Sequence, residues 1–265
     1  VGEAIVITSG KGGVGKTTTS ANIGTALALH GKKVCMVDTD IGLRNLDVVM
    51  GLENRIIYNL VDVADGNCRL AQALIKDKRF DELYLLPAAQ TKDKNDISPE
   101  SVRKIVLELK QTFDCVIIDC PAGIEQGFKN AVAGADKAIV VTTPEHAAVR
   151  DADRIIGLLD SEGIKDPKLV INRIRASMMK NGDMLSIDEI CSVLAIDLLG
   201  IVPDDEYVIK AANNGEPTVM NPSSRAAIAY RNIARRIMGD TVPLMSLEDS
   251  PGVLKKMKKF LGMGG

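Results

Sequence analysis

The chain has 265 residues, 46% of them hydrophobic and 26% charged, with a formal charge of −2 and no tryptophan. Such a chain can bury one sizeable α/β core, although length alone also permits two domains; the charge balance argues against broad nucleic-acid binding, which needs a basic footprint. No apolar run reaches 18 residues, so no spanning helix is expected, and with Glu3 followed at once by a strand pattern no signal peptide is expected either.

The first element is an apolar, β-branched run at residues 5–8. It leads into Gly10-Lys11-Gly12-Gly13-Val14-Gly15-Lys16-Thr17, two glycines separated by four residues and then Lys and Thr. Small and apolar residues from Thr18 to position 29 suit a helix. Strand, loop and helix in that order are the setting a phosphate loop needs. A triphosphate requires many donors and a backbone that comes close, and glycine permits both. The N–H groups of the loop form a nest at the positive end of the following helix. Lys16 is then expected to bridge the β- and γ-phosphates, with the Thr17 hydroxyl on Mg²⁺. Lys11 is a second lysine near the tip. By residue type it is a solvated surface lysine. By position it is placed to enter a neighbouring subunit's site and neutralise charge on the transferred phosphoryl group.

Residues 34–37 read as a buried strand ending in Asp38-Thr39-Asp40, and residues 115–118 as another ending in Asp119-Cys120-Pro121. Open α/β sheets bind ligands beyond the carboxyl ends of their strands. Asp119 is therefore the expected magnesium carboxylate, Asp38 its support and Asp40 the group that positions the attacking water. One such cluster alone could as well begin a turn or cap a helix; two, in a chain with a phosphate loop, favour a site. Further strands are expected at 83–86, 138–142, 169–172 and 198–202. Strand signals alternating with helical ones predict a mostly parallel twisted sheet with helices on both faces, the three-layer fold of phosphate-loop NTPases. The five cysteines are scattered without a Cys-x-x-Cys pair and read as small apolar filler in a reducing compartment. Arg231, Arg235 and Arg236 read as a solvated helix face that complements the helix dipole.

The pattern breaks after residue 239. Residues 240–252 hold two prolines and an acidic pair and read as a linker. In the segment that follows, Val253, Leu254, Met257, Phe260 and Leu261 share a helical arc of about 120°, opposite Lys255, Lys256, Lys258 and Lys259. Residues 253–265 are thus expected to form an amphipathic helix lying on an anionic phospholipid membrane. Each lysine contributes about 1 kcal/mol at best, so one tail binds weakly and two tails bind by avidity.

The string Lys11-Gly12-Gly13-Val14-Gly15-Lys16-Thr17-Thr18 resembles the deviant phosphate loop of the MinD/ParA ATPases. The strings running from Asp40 to Asp47 and from Pro121 to Glu125 resemble the MinD branch more closely than the ParA branch. The likeness covers residues 4–239, as one ATPase domain, and resumes in the tail. It implies ATP and Mg²⁺ as cofactors, a homodimer formed with ATP across Lys11, and base contacts from Asn172, Pro203 and Asp204. It implies a MinC-type inhibitor as partner, with a MinE-type activator or polar scaffold, and a partner surface at Arg44, Asp151, Asp153 and Arg154. It places the chain in the cytoplasm and on the cytoplasmic face of the cell membrane, controlling septum placement. The absence of an Asn-Lys-x-Asp string favours ATP over GTP. A ParA-type partition protein and a MinD-like regulator of flagellar number stay open as alternatives.

Overall fold

The computed structural model describes residues 1–247, without the side chain of Lys94. Its strands are β1 (Glu3–Thr8), β2 (Val34–Asp38), β3 (Ile75–Lys76), β4 (Leu83–Leu86), β5 (Cys115–Asp119), β6 (Lys137–Thr142), β7 (Lys168–Ile174) and β8 (Leu198–Pro203). They form one sheet in the order β3-β4-β2-β5-β1-β6-β7-β8. Every ladder is parallel except β3 on β4. The helices are α1 (Lys16–Leu29), α2 (Leu46–Val49), α3 (Leu60–Ala64), α4 (Leu70–Ala73), α5 (Pro99–Thr112), α6 (Gln126–Val132), α7 (His146–Ser161), α8 (Ala176–Lys180), α9 (Ile187–Leu194), α10 (Glu206–Asn213) and α11 (Arg225–Ile237).

The central strands are apolar almost throughout because both faces are covered. Every residue of β2 and of β5 is buried. Alternate side chains feed two cores. Val6, Val37, Val116 and Ile118 meet residues of α5, α6, α7 and α9. Ile5, Ile7, Met36 and Ile117 meet α1 and α11 on the opposite face. This is the doubly covered parallel sheet that the alternating pattern predicts. The seven expected strands are all present, and β3 is the addition.

Two packing details position the site. α1 is buried on nearly all sides, since it lies between the sheet and α11. Small residues let it approach; a Cβ at Gly24 would come within 2.7 Å of Met36 Sδ on β2. Asn22 then pins α1 to the chain before α11, its Oδ1 accepting from Val219 N–H at 2.9 Å. On the other face, α7 buries Ala148, Val149, Ala152, Ile155 and Leu159, a stripe at helical spacing.

The arginines of α11 differ from the solvated face expected of them. Arg231 donates to the Val219 carbonyl. Arg236 donates to three carbonyls, Leu199 at 3.0 Å, Val242 at 2.9 Å and Pro243 at 2.8 Å. Only Arg235 keeps to the surface, paired with Asp240 at 3.0 Å. The described part of the expected linker therefore lies against the domain, with Ser246 O accepting from Arg225 at 2.8 Å. No helix among the described residues is long and apolar enough to cross a membrane. The remainder of the linker and the amphipathic segment, Val253, Leu254, Lys255, Lys256, Met257, Lys258, Lys259, Phe260 and Leu261, lie outside the described residues.

Candidate nucleotide site

The carboxyl ends of β1, β2, β5, β7 and β8 converge on the loop between β1 and α1. Two of its glycines adopt left-handed backbone, Gly13 at φ 81° and Gly15 at φ 94°. That alternation turns successive N–H groups toward one side, the geometry of an anion nest. Gly10 serves packing instead, because a Cβ there would meet the Asp151 carbonyl of α7 at 2.2 Å. Val14 is buried in the core and anchors the loop.

Parallel register sets Asp38 of β2 directly beside Asp119 of β5. Both carboxylates are buried. The oxygens of Asp119 accept from Thr17 Oγ1 at 2.8 Å and from Ser20 Oγ at 2.7 Å. Burial raises its pKa, and the Lys16 ammonium and the two hydroxyls oppose that rise. Burial, reinforced by the charge of Asp119, pushes Asp38 well above the usual carboxylate range. The Asp38 oxygens accept from the N–H groups of Asp40 at 2.9 Å and Leu46 at 3.2 Å. Asp38 thus holds the loop that carries Asp40, while Thr17 is tied to Asp119.

A cavity of about 420 Å³ lies over the loop, lined by Gly12, Gly13, Gly15, Lys16, Thr17, Thr18 and Asp40, with Arg173 at its edge. A neighbouring cavity, of about 210 Å³, adjoins it at Gly15 and Thr18 and is lined by Asn172, Arg173, Pro203 and Asp204. The structure therefore brings the expected phosphate, water-positioning and base residues to one continuous cleft. Asn172 has a further task. Its Nδ2 donates to Val14 O at 2.8 Å and its Oδ1 accepts from Arg173 N–H at 2.9 Å, so it also struts the loop.

Lys11 sits at the outer rim, half exposed, 3.9 Å from Glu145 at the start of α7. Arg44 is paired with the buried Asp47 at 2.9 Å. Asp151 is partly covered beneath Gly10, and Asp153 and Arg154 are exposed on α7. Cys120 is buried, its thiol pushed up to about 12 by burial, and all five cysteines are free.

Sequence reasoning missed Ser20 and Arg173. Ser20 was accessible, being three residues after Thr17 on the same helical face. Arg173 carries no such signal, since its left-handed φ of 55° belongs to an irregularity between β7 and β8.

The residues present fit a magnesium nucleotide. Among the described residues no three His, Cys, Asp or Glu side chains gather into a protein-only metal cage. Mg²⁺ is commonly held by one or two carboxylates together with substrate phosphates and waters, and Thr17 with Asp119 offers that kind of partial site. Fold and site together define a phosphate-loop nucleotide-binding protein.

Residues 5–219 match the CobQ/CobB/MinD/ParA nucleotide binding domain. The chain is 70% identical to the septum site-determining protein MinD of Bacillus subtilis strain 168, over 99% of each chain. In structure it is similar to a chain of the MinC:MinD cell division protein complex of Aquifex aeolicus, at 48% identity and TM-score 0.86, covering 92% of this chain and 99% of that one. It is also similar to the septum site-determining protein MinD of Pyrococcus horikoshii complexed with Mg-ADP, at 30% identity and TM-score 0.81, covering 89% and 96%. The chain belongs to the MinD septum site-determining proteins of that nucleotide-binding family.

Proposed function

We propose that this chain is a membrane-cycling ATPase that pairs with ATP, adheres to the cytoplasmic face of the cell membrane and recruits a MinC-type inhibitor to control septum placement. As a member of its family the chain is an ATPase that works on Mg-ATP. The observation that carries the reading is the grouping of buried Lys16, Thr17 on Asp119, and Asp40 around one cavity, with Lys11 free to leave its rim.

In this reading the loop N–H groups and Lys16 bind the phosphates, and Asp40 orients the attacking water. Thr17 and Asp119, with Asp38 behind, would hold Mg²⁺, which would supply charge neutralisation at the phosphates. Lys11 gives up a contact worth little at the surface and enters the partner copy's cleft. Loss of the γ-phosphate then releases the segment around Asp40, which Asp38 holds by two N–H groups. Residues 1–239 act as the ATPase domain, 240–252 as linker and 253–265 as the membrane-binding segment. Pairing presents two such segments, whose avidity exceeds that of one. The Aquifex relative stands in a complex with MinC, which supports a MinC-type partner here, with Arg44, Asp151, Asp153 and Arg154 as the candidate surface. A MinE-type activator or polar scaffold completes the cycle.

Sedimentation of the full chain with vesicles of anionic phospholipid tests the scheme. Binding is expected with ATP and with a slowly hydrolysed analogue, and not with ADP. Lys11→Ala is expected to abolish the difference while leaving the fold intact. Equal sedimentation of the parent under all three nucleotides would reject nucleotide control.

A further inference from the structure

The two cavities of the nucleotide cleft meet at three residues, Gly15, Thr18 and Arg173. A nucleotide with its base beside Pro203 and its terminal phosphates over the loop must put its ribose and α-phosphate at that seam. Gly15 and Thr18 contribute backbone and a hydroxyl there. Arg173 contributes a cation.

Its placement is built into the backbone. Between the pairs Ile171–Ile201 and Ile174–Pro203, β7 advances three residues while β8 advances two. The extra residue falls at Asn172–Arg173, and Arg173 takes φ 55°, a conformation that residues with a Cβ rarely adopt. Asn172 locks it by accepting the Arg173 N–H and donating to Val14 O of the phosphate loop. The root of the arginine is therefore fastened to the loop itself. Strain of this kind persists where the surroundings impose it, and it gathers at ligand clamps.

The guanidinium has no carboxylate within ion-pair distance among the described residues. Arg175, two residues on, differs; it is paired with Asp204 at 2.5 Å. The charge of Arg173 also reaches inward, since it opposes the rise to about 12 that burial imposes on Tyr230.

We propose that Arg173 is a nucleotide-positioning residue whose guanidinium grips the α-phosphate at the seam between the base and phosphate cavities. This rests on the nucleotide-binding reading of the cleft and adds a residue that the phosphate-loop pattern does not contain. Of the groups at the seam, the α-phosphate is the anion, and a charge-assisted, two-pronged contact to it is what a guanidinium forms best. Because ATP and ADP both carry that phosphate, the contact holds nucleotide through hydrolysis and does not discriminate between the two states.

Calorimetric titration of the full chain with ATP and ADP, beside steady-state turnover, tests this. Arg173→Asn keeps a residue that tolerates left-handed backbone. It is expected to weaken ATP and ADP by the same factor, about tenfold or more, and to raise KM with kcat near the parent's. Arg173→Lys is expected to restore part of the loss, and apo melting temperatures are expected to stay at the parent value. Unchanged ADP affinity in Arg173→Asn would overturn the proposal. So would a loss confined to ATP, or a loss accompanied by a lowered apo melting temperature in both variants. A parent that bound neither nucleotide would instead remove the underlying reading of the cleft.

Discussion

The two ends of the sheet hold cavities of similar size and opposite character. At the carboxyl ends of the strands, about 420 Å³ opens over the phosphate loop. At the amino ends, about 440 Å³ opens between Glu3, Asp136, Lys137, Lys165, Lys168 and Arg236. This amino-end cavity is rich in charge, yet most of its charged side chains have partners within it or beside it. Lys137 meets Glu3 at 2.6 Å, Lys110 meets Asp136 at 2.6 Å and Lys168 meets Asp197 at 2.5 Å. At the loop end, Asp38 and Asp119 are neighbours within the core, and Lys16 is the cation that relieves Asp119. Volume does not make a site; chemistry left uncompensated by the fold does. Two adjacent buried carboxylates are unfavourable for the free protein, a cost that the proposed magnesium nucleotide would offset.

Removing the charge of Asp119 breaks this contrast most completely. Asp119→Asn keeps an acceptor for Thr17 or Ser20 but loses the anion. Turnover with Mg-ATP is expected to fall by about 10²–10³-fold, measured by phosphate release. Stability is expected to move the other way. Asp119 titrates near 3.8 in an unfolded chain and higher when folded. Between those two pH values the folded state holds the extra proton, so stability falls as pH rises through the interval, and the full cost of the buried charge stands above it. The melting temperature of Asp119→Asn minus that of the parent should therefore grow as pH is raised from about 4. A difference that shrinks with rising pH would show that the carboxylate is stabilised rather than penalised.

What could be read of these two ends from sequence follows from how local each feature is. Apolar runs closed by Asp38 and Asp119 made both strands and both carboxylates legible, because burial on two faces demands continuous apolar sequence. β3 escaped because two residues, Ile75 and Lys76, carry no period. The end of β7 was misplaced for a related reason. Asn172-Arg173 interrupts the apolar run and reads as a strand end, whereas the strand continues to Ile174 across an irregular step in its pairing with β8. Arg236 and Arg231 read as solvated because a sequence does not show which carbonyls will pass within their reach. The family resemblance implies a base contact at Asn172; that it is a strut is set by the 2.8 Å approach of Val14 O from a loop 158 residues away.

A smaller change sharpens the comparison within the loop end. Ser20→Ala removes one of the two hydroxyls on Asp119 and leaves the carboxylate in place. A buried carboxylate deprived of one donor is destabilised by about 1–2 kcal/mol, readable in urea titration. Its pKa moves further up, since that hydrogen bond is one of the influences holding it down. Mg²⁺ is then required at higher concentration for half-maximal turnover, by about tenfold. Thr17→Ala is a poorer probe of the same effect, because it removes the proposed metal ligand along with the hydrogen bond.

The smallest effect belongs to the amino end and checks the contrast from its other side. Lys137→Met leaves Glu3 without its 2.6 Å partner, but both side chains are solvent-accessible. A pair of this kind contributes between zero and about 1 kcal/mol and is screened by salt. The melting temperature is expected to shift slightly at low ionic strength and to converge with the parent's in high salt, with turnover unaltered at both. Glu3 belongs to β1, the strand that feeds the phosphate loop, so any fault transmitted along that strand would appear as lost turnover. Its absence would mean that the amino end stabilises the sheet by exposed, mutually neutralised charge alone. A large, salt-insensitive loss would mean that the charges of the 440 Å³ cavity are coupled to the phosphate loop, and that the two ends cannot be treated as separate.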